Sequence, residues 1–152
     1  MQGNRGAKIK IGLQYDGKLI SAMTFGKNNK YEWEIMRYAT IKNSLVTGGA
    51  SRIFKHFIKN YNPKTIMTYS DLRYSNGNIY KKLGFKYYST TEPGYVYLKH
   101  KEILSRHKCQ KHKLKSFLPI FDNNKSESEN MFLNKYRRLY NAGNFKFIWN
   151  KF

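Results

Sequence analysis

The sequence is short of several things, and each shortage excludes a class of protein. It has one cysteine, Cys109, so no disulfide closes within the chain and a reducing, cytoplasmic setting suits it. It has nine acidic residues against 29 Lys and Arg, a formal charge of +20. That excess goes well beyond what solubility requires and points to a polyanionic partner, double-stranded DNA first among them. No uniformly apolar run approaches the length of a membrane span. A signal peptide is not expected either, because Lys8, Lys10, Asp16 and Gly17 interrupt the first apolar stretch. Internal repeats are missing. So are the recognisable nuclease cores: no paired LAGLIDADG helices, no GIY…YIG pair and no His-Asn-His arrangement, which argues against autonomous cleavage. The spacing His107-x-Cys109-x-x-His112 lacks a fourth ligand and sits among lysines, so no metal site is expected.

What is present suits one folded domain. At 152 residues, with 40% apolar and 16% aromatic content, the chain can bury a core in spite of its charge. Thirteen Tyr and ten Phe fill that core and offer faces on which bases can stack. "IKIGLQYDGKLISAMTFG" reads as a hairpin, with Ile9, Ile11, Leu13 and Tyr15 alternating ahead of an Asp16-Gly17 turn. In "YEWEIMRYAT", alternation places Tyr31, Trp33, Ile35 and Arg37 on one strand face. "VTGGASRIFKHFIKNY" opens on glycines and becomes helical, with Ile53, Phe54, Phe57, Ile58 and Tyr61 on one side and Asn62-Pro63 as the stop. "TIMTYS" is a buried strand, "SNGNIYKKLGF" a turn and short helix ending at Gly84, and "FKYYST" and "YVYLK" two further strands. The order predicts a mixed α/β sheet flanked by helices over residues 1–99. From residue 100 to 152 the chain reads as a basic extension packed on that core: a lysine-rich helix, a polar connector and a closing hairpin around Asn141 to Asn144.

At "VTGGASRIF" and "NIYKKLGF" the chain resembles the GNAT superfamily, the acetyltransferase-like fold. The resemblance implies that Gly48, Gly49 and Ala50 bind the cofactor pyrophosphate at a helix N-terminus, and that Tyr80, followed by Leu83, Gly84 and Phe85, protonates a departing thiolate. Acetyl-CoA or a related thioester is then the cofactor. Leu45 stands where the family pattern has Gln or Arg. Glu34-Ile-Met-Arg37, Asp71 and Gly77-Asn-Ile-Tyr80 also resemble the Mom-type phage proteins, which modify adenine in DNA. Over nearly its whole length the chain looks like the C-terminal region of large phage homing endonucleases. The phage resemblances imply an infected host cell as the setting, and a start at "MQG" implies that the preceding nuclease domain is absent.

Two readings follow. In one, the chain is a DNA-binding target-recognition domain, with Arg73 and Asn76 suited to base edges and Arg106, Lys108, Lys111, Lys113 and Lys115 to phosphates. In the other it is a transferase, Mom-like or a GNAT N-acetyltransferase, with Arg37, Asp71 and Tyr80 as its catalytic candidates and Asp71 paired to Arg37.

Overall fold

The computed structural model describes residues 6–151. The elements are β1 (Ile9–Tyr15), β2 (Lys18–Lys27), β3 (Trp33–Thr40), α1 (Gly49–Tyr61), β4 (Thr65–Asp71), α2 (Asn78–Lys82), β5 (Lys86–Thr90), β6 (Tyr95–Lys99), β7 (Glu102–Ser105), α3 (Lys111–Leu114), α4 (Glu127–Leu133), β8 (Arg137–Tyr140) and β9 (Asn144–Asn150). They fall into two compact units. The first is built from the chain up to Thr91 and again from Asn144, and the second from Glu92–Gly143.

The first unit is a six-stranded sheet in the order β1-β2-β3-β4-β9-β5, antiparallel except for the β3–β4 pair. Its core lies on one face, called inner here. Met23 and Phe25 of β2, Trp33 and Ile35 of β3, Ile66 of β4 and Phe147 of β9 meet Ile53, Phe54 and Phe57 of α1 and Phe85. The helical spacing read in the sequence is what aims α1 at the sheet. Phe57 is fully buried, stacked 3.7 Å from Phe25 and edge-on to Trp33. Burying such a side chain contributes about 1.5–3 kcal/mol. Ile79, Tyr80 and Leu83 of α2 and its C-terminal end pack against the same cluster. Asn62 ends α1 in the left-handed conformation (φ 43), with its N–H donated to the Ile58 carbonyl.

The second unit is a three-stranded sheet, β7-β6-β8, whose Tyr97 and Leu104 form a separate core with Cys109, Leu114, Leu118, Met131 and Tyr136. Among the described residues, no helix is long and apolar enough to cross a membrane.

Three expectations change here. The division does not fall at residue 99: the second unit already begins at Glu92, and the last strand returns to the first sheet. The lysine-rich stretch after Lys99 is not one helix but β7, a turn and the four-residue α3. So many lysines leave no continuous apolar stripe, and Leu104, Cys109 and Leu114 are buried from short pieces instead. Nor do the final residues close as a hairpin. Tyr140 pairs with Tyr95 in the second sheet while Asn144 pairs with Asp71 in the first, so the two strands part at Gly143 (φ 82).

Candidate active site

The parallel pair β3–β4 is joined over a short register: Trp33 with Ile66, Glu34 with Met67 and Ile35 with Thr68. Beyond it, β3 continues to Thr40 against β2, and β4 continues to Asp71 against β9. The carboxyl-terminal halves of the two strands thus follow different neighbours, and two backbone edges face a common cleft. Open α/β sheets take ligands at such carboxyl ends.

A β-bulge accompanies the separation. Phe25 pairs with Ile35 and Thr24 with Arg37, which leaves Met36 as the extra residue of β3. Its thioether lies over Gly26, where an added Cβ would stand 2.7 Å from the sulfur. The bulge also breaks the alternation that put Arg37 with Trp33 and Ile35. Arg37 is exposed, opposite Thr24 on the outer face, and Tyr38 takes the inward position against the core.

At the apex of the cleft, the Thr68 hydroxyl donates to the Ile35 carbonyl at 3.1 Å, across the last paired residues. Burial pushes the pKa of Tyr80 above the ordinary tyrosine value, and the neighbouring Thr68 hydroxyl offsets this only in part. Phe85 and Phe147 hold the Tyr80 ring in place. At neutral pH Tyr80 is therefore a protonated donor fixed where the strands part.

The glycine turn opens a 13-residue helix, as its composition predicts. Gly48 adopts φ 70, which only glycine takes without strain, and no side chain caps the N-terminus. No acid lies in the first turn, so orphan N–H groups and the positive end of the helix dipole stay available. Gly49 is needed for a second reason. A Cβ there would meet Val46 at 2.8 Å and the Tyr38 hydroxyl at 3.1 Å. Tyr38 belongs to the diverging half of β3 and is hydrogen-bonded to Ser21 at 3.2 Å. The helix N-terminus thus rests against one wall of the cleft. Arg52, on the same helix, is exposed, as is Leu45, at 93%.

Gly49 thus borders the diverging half of β3, and Tyr80 borders Thr68 at the end of the paired register. The other two catalytic candidates do not pair as expected. Asp71 takes Arg73, not Arg37: Arg73 donates Nε at 3.0 Å, Nη2 at 2.7 Å and its backbone N–H at 3.0 Å. The tight Asp71-x-Arg73 turn makes this nearer cation the cheaper partner. The hydrogen bond from Arg73 lowers the Asp71 pKa, and a carboxylate so held is a poor general base. Asn76 is likewise spent on its own turn, accepting from the Asn78 N–H at 3.2 Å. Ser21, Tyr38 and Thr68 escaped the sequence reading. Only strand parity could have signalled them, and the bulge alters that parity.

In the second unit, Arg106 lies 5.0 Å from the Tyr95 ring, and Lys108 is exposed in the turn after β7. Lys113 donates to the His107 carbonyl at 3.0 Å. Lys111 and Lys115, with His112, Phe121 and Asn123, line a hollow of about 440 Å³. Cys109, buried among apolar side chains, has its thiol pKa raised by burial.

No protein-family model matches the chain, and no curated protein is similar to it. Solved structures are. One is a Bacillus subtilis acetyltransferase in complex with CoA, with TM-score 0.52 and 12% identity over 91% of this chain and 74% of that one. Another is a GNAT family acetyltransferase from Elizabethkingia anophelis with acetyl-CoA bound, with TM-score 0.51 and 13% identity over 91% and 72%. The fold is GNAT-like: a mixed sheet flanked by helices.

Proposed function

We propose that the first unit is an acyltransferase that takes its acyl group from a CoA thioester. The observation that carries this reading is the uncapped, glycine-opened N-terminus of α1 resting on a wall of the cleft that has Tyr80 at its apex. The backbone N–H groups of Ala50 and Ser51 suit a pyrophosphate, and the facing edges of β3 and β4 suit an amide-bearing arm that hydrogen-bonds like a strand. A CoA thioester supplies an acyl carbon activated for attack by an amine. In this reading Tyr80, protonated, gives its hydroxyl proton to the departing sulfur, and the proton that the attacking amine loses on forming the amide restores the tyrosine. Asp71 is left to orient Arg73.

Calorimetry with acetyl-CoA tests the reading directly. Ser51→Glu puts a carboxylate in the first turn of α1, where it favours the helix but repels a pyrophosphate. It should keep or raise Tm and weaken acetyl-CoA binding about tenfold or more, as the loss of one or two charge-assisted hydrogen bonds implies. Tyr80→Phe should bind normally and lower kcat by about 100-fold, a typical general-acid effect, without raising KM. Failure of the wild type to bind acetyl-CoA would overturn the reading.

A second reading, nucleic-acid binding, is favoured by the +20 charge together with the lysine-lined hollow of the second unit. Target recognition of the homing-endonuclease kind and Mom-like base modification are its finer forms. Reversing Lys108, Lys111, Lys113 and Lys115 to Glu should then weaken duplex DNA of every sequence alike.

A further inference from the structure

The acyltransferase reading leaves the outer face of the six-stranded sheet unused. Both helices of the first unit pack on the inner face, and β1 and β2 are joined by the tight Asp16-Gly17 turn, which adds no helix. Strand pairing fixes which residues point outward. Lys10 and Gln14 of β1, Tyr69 of β4 and Lys146 of β9 do so. Tyr88, the bulged residue of β5 between Tyr87 and Ser89, has no pairing partner, and its contact with Lys146 puts its ring on the same face.

On β4, β9 and β5 these side chains form a group. Tyr69 lies directly opposite Lys146. The Lys146 ammonium is 4.6 Å from the Tyr31 ring and 5.1 Å from the Tyr88 ring. Burial works against its charge, but the Tyr31 hydroxyl and the nearby Tyr69 and Tyr88 outweigh that, so its pKa is raised. Tyr69 and Tyr88 remain 40% and 58% exposed. They stand on strands two apart, about 9–10 Å at ordinary strand spacing. The acids of this face are occupied: Glu34 accepts from Asn28 Nδ2 at 3.2 Å, and Asp71 holds Arg73.

We infer that this outer face docks a single nucleic-acid strand, with bases stacked on Tyr69 and Tyr88 and phosphates drawn to Lys146 and Lys10. The inference rests on the second reading above, that the partner is a nucleic acid, and places it on a surface that reading does not use. Two exposed rings on separated strands, with a cation between them, match what unpaired bases and their backbone require. A duplex keeps its bases stacked inside and cannot use the rings, so the surface selects the single strand. The net charge of +20 supplies the complementary field.

The test is fluorescence anisotropy of a labelled 20-nucleotide single-stranded DNA and the matching duplex, for wild type and for Tyr69→Ala, Tyr88→Ala and Lys146→Ala. Each ring removed should weaken the single strand about tenfold and leave the duplex unchanged. Lys146→Ala should make the single-strand salt slope shallower by about 0.7. Quadruple reversal of Lys108, Lys111, Lys113 and Lys115 serves as the comparison, since it weakens the duplex if the second unit docks phosphates. Single-strand affinity unchanged in folded Tyr69→Ala and Tyr88→Ala variants overturns the sheet-face proposal alone. Failure of wild type to bind either DNA overturns the second reading with it. Should a variant not fold, photocrosslinking of wild type to an iodouracil-bearing strand decides: adducts on Tyr69 or Tyr88 support the proposal, and adducts confined to the second unit overturn it.

Discussion

Gly77 shows how closely single residues are constrained around the cleft. It sits at φ 75 ahead of α2, and a Cβ there would run into the Phe147 ring. Gly77→Ala incurs both the left-handed penalty and overpacking, together roughly 2–5 kcal/mol. Its urea midpoint should fall accordingly, and because α2 carries Tyr80, acetyl-CoA turnover should fall with it. Gly48→Ala is the milder change. It shares the positive φ of 70, but its Cβ meets nothing within 4 Å, so about 1–2 kcal/mol is expected. The difference between the two variants, measured by the same unfolding curves, isolates the clash with Phe147 from the backbone strain.

At the scale of elements, the second sheet is held by tyrosines bonded to carboxylates. Tyr136 donates to Glu102 at 2.7 Å, and Tyr97 and Tyr95 donate to Glu127 at 3.0 and 3.1 Å. The Glu102 bond pushes the Tyr136 pKa up to about 12, and burial does the same for Tyr97. A folded-state pKa above the unfolded value of about 10 means stability that is complete below pH 10 and lost as pH rises through 12. Alkaline titration should therefore melt the second unit as these hydroxyls ionise. Tyr136→Phe should be less stable at pH 8 and show a flatter loss between pH 10 and 12, followed by circular dichroism. The connector ahead of α4 has its own anchor. Buried Asn130 donates to the carbonyls of Asp122, Lys125 and Ser126 and accepts the Asp122 N–H at 2.8 Å.

On the scale of the molecule, the second unit is an excursion within the first. Thr91 donates its N–H to the Asn144 carbonyl at 2.9 Å, and the Asn144 N–H returns to the Thr91 hydroxyl at 2.9 Å. The chain therefore leaves and re-enters the first sheet at one hydrogen-bonded pair. Replacing Glu92–Gly143 with a two-residue turn should leave a first unit that unfolds cooperatively and keeps its acetyl-CoA affinity. The shortened chain should also lose the salt-sensitive duplex binding assigned to Lys111 and Lys115. A first unit that cannot fold after the replacement would show that the two units depend on each other for stability.

The sequence by itself determined whatever depends on neighbours in the chain. Apolar spacing at 3.6 residues set α1, Asp16-Gly17 set the first hairpin, Gly48 and Gly84 set where helices begin and end, and the order of elements specified a GNAT-like mixed sheet. Tertiary structure alone decided whatever depends on register and on pairing between distant segments. Met36 became a bulge only because β2 paired across it, and that one extra residue carried Arg37 to the outer face and brought Tyr38 beneath α1. Asp71 chose Arg73 because a turn put the guanidinium 2.7 Å away, a geometry that charge pattern alone does not specify. The final strand joined β4 and β5 rather than its own neighbour β8 because Phe147 completes the first core, while β8 closes the second sheet against Tyr97. Local signals fix local conformation. Which buried face a strand completes is settled only when the competing cores exist.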